Sequence, residues 1–306
     1  MTRRSGALPN FIIAGGIATG TSFLSATLTQ HPDIYLPTPQ RPEPNFFHYT
    51  DKFSHGIDWW LETWFSAVED ERAVGERSSL ILTSDLAARR MHECVPEIKI
   101  IFCLRNPVER AWANYRFSVL EGLEPLAFRD ALMQERERME AATGRWAEVQ
   151  PHAYITRSTY SHHLREFRDL FGEGQIHMIK SEALARDPEA HLRAACRFLG
   201  VAEDVPLDLP ADYSSPSVVD PTVQTEMRAY FGDRFPDVIE SVRRNADLES
   251  IAGSDADRDM IDRLRANLAD GKHPLSADDR ALAADLLSSE IRRLRELVPF
   301  DISDWS

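Results

Sequence analysis

Only three cysteines occur in 306 residues, Cys94, Cys103 and Cys196, and none forms a C-x-x-C pair. That scarcity leaves neither a disulfide framework nor a cysteine-based zinc site to expect. The Asp, Glu and His residues of 160–190 also lack metal-ligand spacing, so no metal is expected. Long apolar runs are missing. Phe11 to Ala14 is too short for a signal-peptide core, and charges interrupt every later hydrophobic stretch, which predicts a cytoplasmic chain with no membrane partner. Positive charge is in deficit, with 35 Lys and Arg against 49 Asp and Glu and a net charge of −14, which argues against non-specific nucleic-acid binding. What is present is globular: 43% hydrophobic and 27% charged residues, in a chain long enough to bury a large core.

Phe11-Ile-Ile-Ala-Gly-Gly-Ile-Ala-Thr-Gly-Thr-Ser-Phe23 reads as a buried strand, a glycine-bearing turn and the first turn of a helix. Backbone N–H groups freed by the glycines, the positive end of a helix, and the hydroxyls of Thr21 and Ser22 make a cradle for a phosphate-like anion. The Walker pattern fits from Gly15 through Gly20 to Ser22, except that Thr21 stands where its lysine belongs. ATP hydrolysis needs that cation on the β- and γ-phosphates, so a nucleotide-type anion site is expected without it.

Strands are expected at 11–14, 34–36, 74–82, 99–104 and 175–179. Helices are expected at 22–30, 56–65, 107–120, 126–142, 160–171, 188–199 and 277–297. Pro37 to Pro44 holds four prolines in eight residues and reads as an ordered or gating loop. Trp59, Trp60, Trp64 and Phe65 recur at helical spacing and read as core. Strands alternating with helices predict an α/β fold: a P-loop-like three-layer sandwich with a central, mainly parallel sheet flanked by helices. Ligands bind such sheets beyond the carboxyl ends of the strands, where residues 15–22, 75–79 and 105–110 fall. With no clean linker, residues 1–306 read as one domain carrying a charged helical insertion near 222–272.

Several segments in order resemble the sulfotransferases that use 3′-phosphoadenosine 5′-phosphosulfate (PAPS), especially bacterial members similar to heparan-sulfate sulfotransferases. They are Thr19-Gly-Thr-Ser22 followed by His31-Pro-Asp-Ile34; Pro42-Glu-Pro-Asn-Phe-Phe47, similar to K-E-P-H-F-F; Trp59-Trp60 with Gly75-Glu-Arg-Ser-Ser79, similar to G-E-K-[ST]-P; Leu104-Arg-Asn-Pro-Val-Glu-Arg-Ala111; and the terminal Asp301-Ile-Ser-Asp-Trp305. The resemblance implies a P-loop-like, nucleotide-binding transferase moving a sulfuryl group from PAPS to a hydroxyl or amine of a small-molecule or sugar acceptor. It implies Glu43 as the base, with His48 as runner-up, and Gly16, Thr19, Gly20, Thr21 and Ser22 around the 5′-phosphosulfate. Arg105 would hold the 3′-phosphate, and Tyr160 would line the nucleotide pocket.

Departures from the family pattern fall on that same ligand. Ala18 occupies the position of the usual lysine or arginine, Ala113 that of a phosphate-binding serine, and Pro42 that of the lysine of K-E-P-H-F-F. Arg77 stands for the lysine of G-E-K-[ST]-P and is the replacement cation expected in the site, with Arg41 and Arg110 as further cations able to turn inward. Two other readings stay open: an enzyme of the same fold using another donor or another anionic substrate, and a non-catalytic binding protein.

Overall fold

A computed structural model describes residues 8–39, 42–209, 216–243, 253–269, 271 and 274–305. Arg41 lies outside them. The first part of the chain runs β1 (Phe11–Gly15), α1 (Thr21–Leu28), β2 (Ile34–Tyr35), α2 (Thr50–Ser54), α3 (Gly56–Trp64), β3 (Ala73–Ser78), α4 (Ala87–Cys94), β4 (Lys99–Leu104) and α5 (Pro107–Leu120). Then come α6 (Phe128–Met133), α7 (Glu135–Ala141), α8 (Arg145–Val149), α9 (Ser161–Leu170), β5 (Ile176–Lys180), α10 (Ser181–Arg186) and α11 (Pro188–Leu199). The last part holds β6 (Ser217–Val218), α12 (Pro221–Phe231), α13 (Phe235–Arg243), α14 (Asp255–Ala266), β7 (Leu268–Ala269) and α15 (Ala277–Leu294).

The described residues fall into two compact units, one reaching to Arg110 and resuming over 157–209 and from Ser288, the other comprising Ala111–Thr156 and 216–287. In the first unit five parallel strands lie in the order β2-β3-β1-β4-β5, with Phe11 opposite both Gly75 and Lys99. Successive strand side chains point to opposite faces. Phe11, Ile13, Ile101, Cys103 and Ile179 pack against Leu24 and Leu28 of α1 and Leu192 and Ala195 of α11. On the other face Phe102 meets Phe167 of α9 edge-on, with ring centroids 5.1 Å apart. Helices therefore cover both faces, as expected for strands this apolar. Gly15, Ser78, Leu104 and Lys180 end their parallel strands at the same end of the sheet.

Sequence and structure part at particular places. The strand expected at 74–82 stops at Ser78, because the N–H and Oγ of Ser79 turn to the Glu43 carboxylate, 2.7 Å from each. The helix expected at 126–142 breaks at Gln134 into α6 and α7. Glu135, buried at that break, accepts the N–H groups of Tyr154, Ile155 and Thr156 at 2.7–3.0 Å. Of the aromatics expected in the core, Trp60 is fully buried and stacks on Phe46 at 5.3 Å and Phe65 is buried, whereas Trp59 and Trp64 are half-buried. Periodicity missed α2, α4, α8 and α10, which are five, eight, five and six residues long.

The second unit is mostly helical. Met227 and Phe231 of α12, Phe235, Val238 and Ile239 of α13, and Ile261 and Leu264 of α14 form its core with Leu120. β6 and β7 pair antiparallel beside them. The described part of the insertion expected at 222–272 thus shares a core with the end of α5. Among the described residues no helix is long and apolar enough to cross a membrane.

Candidate active site

The loop from β1 to α1 is fixed by close contacts. A Cβ on Gly15 would stand 2.5 Å from the Cys103 carbonyl oxygen and 2.6 Å from Thr19 Oγ1, so only glycine lets β1 end against β4. Gly16 lies over the Arg110 side chain, whose Cδ would be 3.2 Å from an added Cβ. Arg110 is buried and donates from Nε to Ser158 Oγ at 2.7 Å. Gly20 adopts φ 94° and caps α1 with no side-chain acceptor for the helix's first N–H groups. A first turn left uncapped in this way presents its donors to an anion. Ala18 precedes it at φ 68°, a left-handed conformation unusual for alanine.

The hydroxyls of this loop divide between frame and site. Thr19 is buried and its Oγ1 donates to Gly16 O at 2.8 Å, while Ser181 Oγ donates to Thr19 O. Only the main chain of Thr19 is therefore left for a ligand, and Thr21 is also buried. Ser22 is half-buried, and its Oγ accepts a hydrogen bond from Arg77 Nη1.

Arg77 sits near the end of β3, 5% exposed, and its Nη2 lies 3.4 Å from Glu43 Oε1. The other oxygen of Glu43, Oε2, accepts the N–H and Oγ of Ser79 and, at 3.4 Å, Asn45 Nδ2. Lys52 Nζ donates to the carbonyls of Glu43 and Pro44 at 3.2 and 2.6 Å, pinning the loop main chain. Burial lowers the Lys52 pKa. The structure thus joins three segments distant in sequence: Ser22 at the start of α1, Glu43 on the proline-rich loop and Arg77 with Ser79 at the end of β3.

The remaining sequence candidates are placed differently. Arg105 leaves β4 at the same edge, donating from Nη1 to Ala18 O at 3.0 Å, with Nη2 3.7 Å from Glu109. Tyr160 is 1% exposed and its hydroxyl donates to Arg105 O, so it braces the turn that carries Arg105. The ring nitrogens of His48 are shut off from water with no hydrogen-bond partner. Burial first, then the charge of Arg157, pull its pKa down to about 4. Ala113 falls in the second unit. Sequence reasoning passed over Ser79, Asn45 and Ser181; the one available signal was a pair of small hydroxyl residues, Ser78-Ser79, directly after a charged strand end. It also gave no sign that Asp85, His162 and His163 would bring their ligand-type atoms within 4.8 Å of one another, on a partly exposed surface.

The Sulfotransferase domain family matches residues 8–217 of this chain, a span that takes in the cradle, Glu43, Arg77 and Arg105. The chain belongs to this family. A solved sulfotransferase from Alicyclobacillus acidocaldarius is 33% identical and superposes over 80% of this chain and 99% of its own, with a TM-score of 0.60. The human bifunctional heparan sulfate N-deacetylase/N-sulfotransferase 2 is 27% identical over 199 residues, 63% of this chain and 22% of the human protein. The membrane-associated sulfotransferase kil1 of Dictyostelium discoideum is 29% identical over 114 residues, 37% of this chain and 23% of that protein. The chain therefore spans about a fifth to a quarter of the length of these two relatives. Membership accounts for the fold expected from the sequence.

Proposed function

We propose that this sulfotransferase-family chain moves a sulfuryl group from PAPS to a hydroxyl or amine of a small-molecule or sugar acceptor. The observation that carries the reading is the contact of Glu43 with Arg77, which in turn bonds Ser22 at the uncapped start of α1. A base and a cation meet where an anion site begins. The acceptor's oxygen or nitrogen attacks sulfur and gives its proton to Glu43. The bond from sulfur to the bridging phosphate oxygen breaks, and 3′-phosphoadenosine 5′-phosphate leaves with that electron pair. Its growing negative charge is met by the main-chain N–H groups of residues 16–22 and by Arg77, a cation already in place before reaction. Arg105 serves the 3′-phosphate in this reading. His48 is left out, since its neutral ring is enclosed, and Tyr160 supports Arg105. The heparan sulfate acceptor in the name of the human relative makes amino sugars the first acceptors to try.

A second reading keeps the fold and changes the donor. It is favoured by Ala18, which brings no cation to a position facing the cradle. Calorimetric titration with 3′-phosphoadenosine 5′-phosphate separates the two. Micromolar binding, followed by transfer from PAPS to a panel of amino sugars and phenols, supports the first. No heat at millimolar nucleotide removes PAPS as the donor and leaves the second.

A further inference from the structure

Glu76 is a carboxylic acid with no place in the chemistry just described, and it is entirely enclosed. It lies on β3 with 0% exposure, and burial holds its pKa up to about 7. The charged groups that act on it are Lys52 of α2, whose ammonium bonds two main-chain carbonyls, and the carboxylate of Glu43. An acid kept in an aromatic core without a bonded cation is costly and calls for a reason.

Its hydrogen bonds supply one. Trp60 Nε1 donates to Glu76 Oε2 at 2.6 Å, and Ser78 Oγ donates to Oε1. Above about pH 7, where Glu76 is ionised, the Ser78 hydroxyl commits its proton to it and has only lone pairs to offer its other neighbour. It accepts the Asn45 N–H at 3.0 Å. Asn45 is held at φ 43°, and its Oδ1 accepts the N–H of Leu80 at 3.3 Å. That left-handed turn carries the chain back to Glu43, whose carboxylate then reaches Ser79 and Arg77.

We propose that Glu76 is a positioning residue: through Ser78 and Asn45 it fixes the turn that presents the Glu43 carboxylate to Arg77 and Ser79. The consequence for catalysis rests on the reading of Glu43 as the base, whereas the positioning itself does not. Glu76→Gln tests the relay at nearly constant volume. A glutamine offers one accepting oxygen and one donating NH2, so it cannot accept from both Trp60 and Ser78 on separate atoms. With the NH2 toward Ser78, the hydroxyl must turn its proton elsewhere, and its lone pairs swing away from the direction of the Asn45 N–H.

The experiment is hydrogen exchange of assigned amides in the full-length protein at about pH 8, where Glu76 is ionised, and it needs no acceptor substrate. In Glu76→Gln, and likewise in Ser78→Ala, exchange at the Asn45 and Ser79 amides rises about tenfold or more while that of Ile12 and Ile101 is unchanged; Ser78→Thr, which keeps the hydroxyl, restores protection. Unaltered protection of Asn45 and Ser79 in a folded Glu76→Gln protein overturns the proposal. Should Glu76→Gln raise exchange at Ile12 and Ile101 too, Ser78→Ala decides alone by the same criterion. Turnover of Glu43→Gln is a separate measurement: retained turnover removes Glu43 from the base role and leaves the exchange result standing.

Discussion

Glu43 Oε1 and Arg77 Nη2 lie 3.4 Å apart, on a proline-rich loop and on the strand beside the one that feeds the anion cradle. The pair is 16% and 5% exposed, so neither charge is well hydrated, and each is bonded elsewhere to groups that hold its direction. The carboxylate and the guanidinium are thus held facing one another beside the start of α1.

Arg77→Ala removes the cation at the start of α1 and leaves Glu43 without its partner. A charge-assisted hydrogen bond contributes about 1.5–3 kcal/mol, so the affinity for 3′-phosphoadenosine 5′-phosphate should fall by about 10- to 100-fold in calorimetry. Arg77→Lys should lie between, since an ammonium keeps the charge without the two-pronged geometry that reaches Ser22 and Glu43 together. An alanine variant that binds the nucleotide as well as the parent would remove Arg77 from the site.

Glu43→Gln keeps the shape and deletes the base. Turnover should drop by about 100-fold or more, with nucleotide affinity changed by no more than about twofold, because the loss is confined to the transition state. Equal losses in both quantities would instead make Glu43 a binding residue.

Ala18 and Gly15 predict opposite effects on stability. Gly15→Ala places a methyl group 2.5 Å from the Cys103 carbonyl and should lower stability by about 2–4 kcal/mol in urea unfolding. Ala18→Gly relieves a left-handed alanine and should raise it by about 1 kcal/mol. Ala18→Lys, which restores a cation beside the cradle, should tighten nucleotide binding about tenfold.

Glu76 and His48 give the protein two pH dependences of opposite sign. Between 4.5 and about 7 the folded Glu76 holds a proton that the unfolded chain releases, so stability falls as pH rises. Between about 4 and 6.5 the unfolded His48 takes up a proton that the folded ring refuses, so stability falls as pH drops. Over the shared window the slopes cancel. Glu76→Gln should therefore become more stable by about 2 kcal/mol from about pH 5 to about pH 6.5, and His48→Gln less stable by a similar amount. Urea unfolding at the two pH values measures both; slopes unchanged from the parent in both variants would refute the assignment.

The parallel sheet was legible because Phe11-Ile-Ile-Ala and Lys99-Ile-Ile-Phe-Cys-Leu are runs that only a strand covered on both faces needs. The strand, glycine turn and helix of residues 11–28 were legible because their signals are local in sequence. The wiring behind them was not. Ser79 reaches Glu43 across 36 positions, Ser181 reaches Thr19 across 162, and no periodicity connects them. Boundaries failed where a side chain competed with the regular ladder, at Ser79 and at Glu135. Arg105 was ambiguous between ligand and ion pair, and the structure shows it at the strand end with Glu109 beside it.

The uncapped first turn of α1 has a consequence for how this protein tolerates change. Donors built from the main chain cannot be deleted by replacing side chains. Alanine at Thr21 or Ser22 leaves the main-chain N–H in place, while proline at either position would erase one donor at a time. Substitutions of side chains in such a loop, including at Ala18, leave its main-chain donors where they are.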